Sequence, residues 1–74
     1  MYTVHIKIKN AGEQVERCQF LSNARGLVID ALYQTHKGNV EYFYITDTVG
    51  EIIYNGWDKD NLQFTQSPSF ALGI

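Results

Sequence analysis

The sequence predicts a small α+β domain: one amphipathic helix packed on one face of a short antiparallel or mixed sheet of four to five strands. Three observations predict it. Residues 2–9 alternate strictly between apolar and polar types, the mark of a half-buried strand. Ala24, Leu27, Val28, Ala31, Leu32 and Thr35 recur at the spacing of one helix face. Residues 40–46 are rich in β-branched and aromatic residues and end at a turn sequence. The resulting order is β-β-α-β-β, with a fifth strand where the pattern resumes after residue 61.

Each element follows from its residues. In the first strand Tyr2, Val4, Ile6 and Ile8 point one way, and Thr3, His5, Lys7 and Lys9 the other. Asn10-Ala11-Gly12-Glu13 reads as a hairpin turn, with Gly12 free to take a positive φ. Residues 14–21 form the second strand, with Cys18 and Phe20 inward and Glu16 near the open end of the hairpin. Ser22 and Asn23 are suited to capping a helix of about 13 residues. Arg25, Asp30, Gln34 and Lys37 lie on its polar side, and Gly38 is placed to end it.

In the third strand Val40, Tyr42 and Tyr44 share one face, and Phe43 and Ile45 the other. Asp47-Thr48-Val49-Gly50 is a hairpin turn, and residues 51–55 return from it. Asn55-Gly56 marks another turn, leading into a polar loop at residues 57–61 that carries Trp57. Residues 62–66 alternate again, and Pro68 ends that run.

Size and charge bound the function. The chain of 74 residues is one domain. Its single cysteine closes the route to an internal disulfide. Packing and self-association remain as ways to strengthen a small core, and the apolar tail at 67–74 suits either. Six basic residues face eight acidic ones, for a net charge of −2. That excludes a general duplex-DNA binder, which needs a dominant basic face. The chain opens directly on the alternating strand, with no export leader and no apolar run of membrane length, which predicts a cytoplasmic protein.

One helix covers only one sheet face. The uncovered face therefore carries the functional expectation. With Phe43, Ile45 and Ile53 turned to the helix, Tyr42, Tyr44 and Tyr54 look outward beside Trp57. Tyrosine and tryptophan favour interfaces, because they combine apolar area with a polar handle. Asp58 and Asp60 supply a negative patch at the same end, or else simply stabilise their turn. The expected function is a protein–protein interaction module, of the stand-alone inhibitor or adaptor type found in phages and mobile elements, binding another protein or a second copy of itself.

Two alternatives come from other classes. His5, Lys7, Lys9 and Arg17 form a basic stripe on the first hairpin, which with the tyrosines would suit single-stranded nucleic acid. The same lysines equally guard an edge strand against aggregation, and the acidic balance favours that reading. Phe70, Leu72 and Ile74 alternate in the tail and are candidates for an oligomer contact or for covering the domain's own core. No enzyme is expected. Cys18 is placed on the face opposite His5, and nothing supplies an oxyanion hole or a third orienting group. No cofactor or metal is expected either, since Asp58-Lys59-Asp60-Asn61 lacks the spacing and closing Glu of a calcium loop.

Overall fold

A computed structural model describes residues 1–66. It contains β1 (Tyr2–Ile8), β2 (Glu13–Cys18), helix α1 (Leu21–Asp30), β3 (Val40–Thr46), β4 (Ile52–Asp58) and β5 (Gln63–Gln66). The strands form one sheet in the order β2-β1-β3-β4-β5, with every neighbouring pair antiparallel. Since β2 and β3 both run opposite to β1, they are parallel to each other, and α1 is the crossover that joins them across β1. The α+β architecture read from the sequence is the one observed.

The core lies between α1 and one sheet face. Val4, Ile6 and Ile8 of β1, Phe43 and Ile45 of β3, and Ala24, Val28 and Ala31 of the helical segment are buried. The alternation in β1 and the helical spacing thus meet as predicted. Leu27, at 38% exposed, and Thr35, also exposed, are the exceptions in the helical stripe. In β3 a bulge at Glu41 sets Val40 opposite Ile8 and against the core, so it does not share the face of Tyr42 and Tyr44. Helix α1 continues into a π-helical turn, Ala31–Thr35, in which the His36 N–H donates to the Ala31 carbonyl at 3.0 Å. Gly38, at φ +77°, then reverses the chain.

Several local expectations are corrected. The helix starts at Leu21, and neither Ser22 nor Asn23 caps it: Phe20 holds that position without a side-chain bond. Phe20 lies beyond the end of β2 and is exposed, not inward, while Cys18 is buried as expected. In the first hairpin Asn10, not Gly12, takes the left-handed conformation, at φ 62°. Asn tolerates this region because its short side chain can bond locally.

The largest correction concerns β4. It does not stop at Asn55 but runs to Asp58, so Asn55-Gly56 is not a turn and Trp57 is not in a loop. The strand carries two bulges. Ile45 faces Tyr54 while Thr46 faces Ile52, leaving Ile53 as the extra residue. Tyr54 faces Gln66 while Gly56 faces Thr65, leaving Asn55 extra. Each extra residue shifts the side-chain phase by one. As a result Tyr54, directly opposite Ile45, sits on the helix side, and the odd spacing from Tyr54 to Trp57 still leaves both on one face.

The turn at 47–50 forms as read. Asp47 Oδ1 accepts from Val49 and Glu51 N–H groups at 3.0 and 2.9 Å, and Gly50 takes φ +87°. The expected tail contacts of Phe70, Leu72 and Ile74 lie outside the described residues.

Candidate functional site

The uncovered sheet face is built by register. Reading across β2, β1, β3 and β4, one row is Arg17, Thr3, Thr46 and Ile52. The next is Val15, His5 and Tyr44, and the third is Glu13, Lys7 and Tyr42. Residues directly opposite in an antiparallel pair share a face. His5, Lys7 and Arg17 of the basic stripe and two of the predicted tyrosines, Tyr42 and Tyr44, are therefore brought together, while Lys9 lies beyond the end of β1.

Ring packing orders the centre of this face. His5 stacks on Tyr44 with centroids 4.3 Å apart and planes 11° from parallel. Tyr44 in turn lies alongside Tyr42 at 6.4 Å and 13°. Glu13 ties the ladder from the neighbouring edge. One carboxylate oxygen accepts from His5 Nδ1 at 2.8 Å, and the other accepts from the Tyr42 hydroxyl at 2.9 Å. An ionised carboxylate only accepts, so Nδ1 carries the proton. The His5 bond, followed by that of Tyr42, holds the Glu13 carboxyl below the usual carboxylate range. The same bond from the other side pushes the Tyr42 phenol above the usual tyrosine range.

The Lys7 and His5 side chains of this face are committed to the protein itself. The Lys7 amine donates to the carbonyls of Ile8 and Ala11 and lies 3.9 Å from Glu41. His5 is held by Glu13. Lys9 is exposed just beyond β1, and its N–H donates to the Asn39 carbonyl at 2.6 Å. Apolar area remains open between the charges: Tyr42 is 46% exposed, Val15 53% and Ile52 40%. Val15 and Ile52 escape notice in the sequence. They join the ladder only once β2 and β4 are known to flank β1 and β3.

Tyr54 and Trp57 are not part of this face. Tyr54 is buried on the helix side, where Arg25 of α1 donates to its hydroxyl and lies over its ring, 5.0 Å from the centroid. Phe64 of β5 packs against Tyr54, Trp57 and Phe43. Trp57 Nε1 donates to the Tyr33 hydroxyl at 2.8 Å. The helix backbone runs closest to β1 and β2, so β4 and β5 project past it. A cleft of about 780 Å³ opens there, with Arg25, Ile29, Tyr54, Trp57, Leu62 and Phe64 among its lining residues. Nothing in the sequence pairs Arg25 with Tyr54, because the pairing depends on the shifted phase of β4.

Asp58 and Asp60 are separated in role. Asp58 accepts from the Asn61 side-chain amide at 2.7 Å and from the Asn61 and Asp60 backbone N–H groups, which together hold its carboxyl below the usual range. It closes the β4–β5 turn. Asp60 is exposed in that turn.

Chemistry elsewhere is sparse. Cys18 is buried, and burial pushes its thiol up, away from the reactive thiolate form. Among the described residues, no three His, Cys, Asp or Glu side chains gather to hold a metal ion, and no helix is long and apolar enough to cross a membrane. No protein-family model, curated protein or solved structure matches this chain.

Proposed function

We propose that this chain is a small interaction module whose uncovered sheet face docks on another protein, in the manner of a stand-alone inhibitor or adaptor. The His5–Tyr44–Tyr42 ladder, fixed in place by Glu13, carries this reading. Side chains already held in their bound arrangement lose little entropy on association. Tyrosines on a flat sheet offer area and a hydroxyl together. Around them Val15 and Ile52 add exposed apolar surface, while Arg17, Glu13, Lys7 and Glu41 form a rim of both signs. An apolar centre inside a mixed-charge rim is the usual composition of a protein interface.

A nucleic-acid platform is less well supported. Such a surface needs free cations tracking phosphates. Here the Lys7 amine bonds two backbone carbonyls, and Glu13 and Glu41 place negative charge on the same rows.

Capture from the native host with the tagged protein tests the proposal, alongside folded Tyr42→Ser and Val15→Asp variants. One protein partner held by the parent chain and lost by both variants is expected. A partner held equally by the variants, or recovery of salt-sensitive nucleic acid alone, contradicts it.

A further inference from the structure

We propose that the edge strand β2 pairs with β2 of a second copy of this chain, antiparallel and centred on Val15, so that two five-stranded sheets join into one. The inference goes beyond the docking role of the uncovered face and does not depend on it.

β2 is open for pairing. Among the described residues it is bonded to β1 alone, which leaves the N–H and C=O groups of alternate residues pointing outward. Glu13, Gln14, Val15, Glu16 and Arg17 are all exposed, so α1 does not cover this edge. The usual devices that blunt an edge are missing from it. β2 holds no lysine and no proline, and its register with β1 runs unbroken from Tyr2 and Cys18 to Lys7 and Glu13. Lys7, a residue suited to guarding an edge, lies on β1, which is flanked by β2 and β3.

The side chains complement their own two-fold image. With Val15 opposite Val15, Glu13 of each copy stands opposite Arg17 of the other, and Gln14 opposite Glu16. Opposite residues share a face, so the valine pair and both Glu13–Arg17 pairs fall on the uncovered face. Among the described residues Arg17 has no ion-pair partner of its own. The Glu13 carboxylate accepts from His5 and Tyr42, and its remaining lone pairs are open to a guanidinium. The Gln14 amide can donate to the Glu16 carboxylate. A slip of one or two residues in either direction brings Glu16 against Glu13, Glu16 or Val15, or Glu13 against Val15. Like charges directly opposite destabilise a pairing, so the register centred on Val15 is selected.

The rows of the uncovered face then continue across the seam. Tyr44, His5 and Val15 lead into Val15, His5 and Tyr44 of the second copy, and Tyr42, Lys7 and Glu13 lead into its Arg17, Thr3 and Thr46. So short a seam makes a small interface, and association about micromolar or weaker is expected.

Charge exchange tests the register, once amide spectra have established that each variant is folded. Sedimentation equilibrium on the parent chain is expected to show a monomer–dimer equilibrium below about 1 mM. Arg17→Glu sets Glu13 against a second carboxylate, and Glu13→Lys sets Arg17 against a second cation. Each variant alone is expected to dimerise at least about tenfold more weakly than the parent. Mixed together, the two restore both opposite-charge pairs and are expected to associate with each other. A parent that stays monomeric to about 1 mM, variants that dimerise as the parent does, or a mixture no stronger than its components overturns the inference. Cysteine substitution gives a second readout. Paired Cα atoms lie about 4.5–5.5 Å apart, within reach of a disulfide, so Val15→Cys is expected to cross-link under mild oxidation. The two copies of position 17 stand about 14 Å apart along the seam, so Arg17→Cys is expected not to. No cross-link at position 15, or equal cross-linking at both, also overturns it. Tyr42→Ser is expected to leave the dimer in place, so loss of the docking role and loss of the strand pairing are read separately.

Discussion

Ile45 offers a direct check on how the sheet divides its two faces. It is fully enclosed on the central strand, between Val4 of β1 and Tyr54 of β4. Ile45→Val removes one methylene, worth about 0.8 kcal/mol in transfer, and the residual cavity brings the cost to roughly 1 kcal/mol. Ile45→Ala removes about three such groups and costs about 3–4 kcal/mol with its cavity. That approaches the whole of the ~3–5 kcal/mol that a single small core supplies, so this variant is expected to be largely unfolded at room temperature. Urea unfolding followed through Trp57 emission reads the milder change. With a slope near 1 kcal/mol per M for so small a domain, the Ile45→Val midpoint falls by about 1 M. Ile52→Val deletes the same methylene on the uncovered face, where the side chain is 40% exposed, and is expected to cost under about 0.5 kcal/mol. Equal losses at the two positions would refute the assignment of faces.

Other outcomes follow from the same geometry. Glu13→Gln is expected to return the Tyr42 phenol toward the ordinary tyrosine range, seen by ultraviolet titration, because the carboxylate bond is what raises it. The pH dependence has two signs. The depressed Glu13 contributes stability that is complete above the usual carboxyl value of 4.5 and lost as pH falls through its folded value. The raised Tyr42 contributes stability that is complete below the usual phenol value of 10.0 and lost as pH rises through its folded value. A pH series of thermal melts on the parent and on Glu13→Gln is expected to differ at both ends. Asp58→Ala is expected to speed hydrogen exchange at the Asp60 and Asn61 amides, which lose their acceptor. Gly50→Ala, at φ +87°, is expected to lower stability by about 1 kcal/mol, read by the same urea titration.

What the sequence made legible was governed by periodicity. β1 and the part of β3 from Tyr42 onward follow an uninterrupted period of two, and their buried faces match the pattern, whereas Val40, ahead of the bulge at Glu41, turns to the core and the 3.6 period of the helix gives way at the π-helical turn. The His5, Lys7 and Arg17 side of the first hairpin was legible for the same reason. Tyr42 and Tyr44 were placed outward because β3 keeps its phase through both. Tyr54 was placed on the wrong face because Ile53 and Asn55 are bulged, and a bulge inverts the side-chain phase without a distinctive residue to announce it. Asn55-Gly56 carries the composition of a turn, yet Gly56 serves a strand. A Cβ there would stand 3.2 Å from Thr65 Cβ, so the close approach of β5 explains the glycine. The rows that join Val15 and Ile52 to the ladder depend on strand order, which sequence spacing does not encode.

The most direct test of the docking role is site-specific photo-crosslinking in the native host, with benzoylphenylalanine placed at Tyr42 on the uncovered face and, separately, at Leu62 on the rim of the helix-side cleft. A single protein adduct formed from position 42 and absent from position 62 is the predicted result. The same adduct formed from position 62 alone would contradict it.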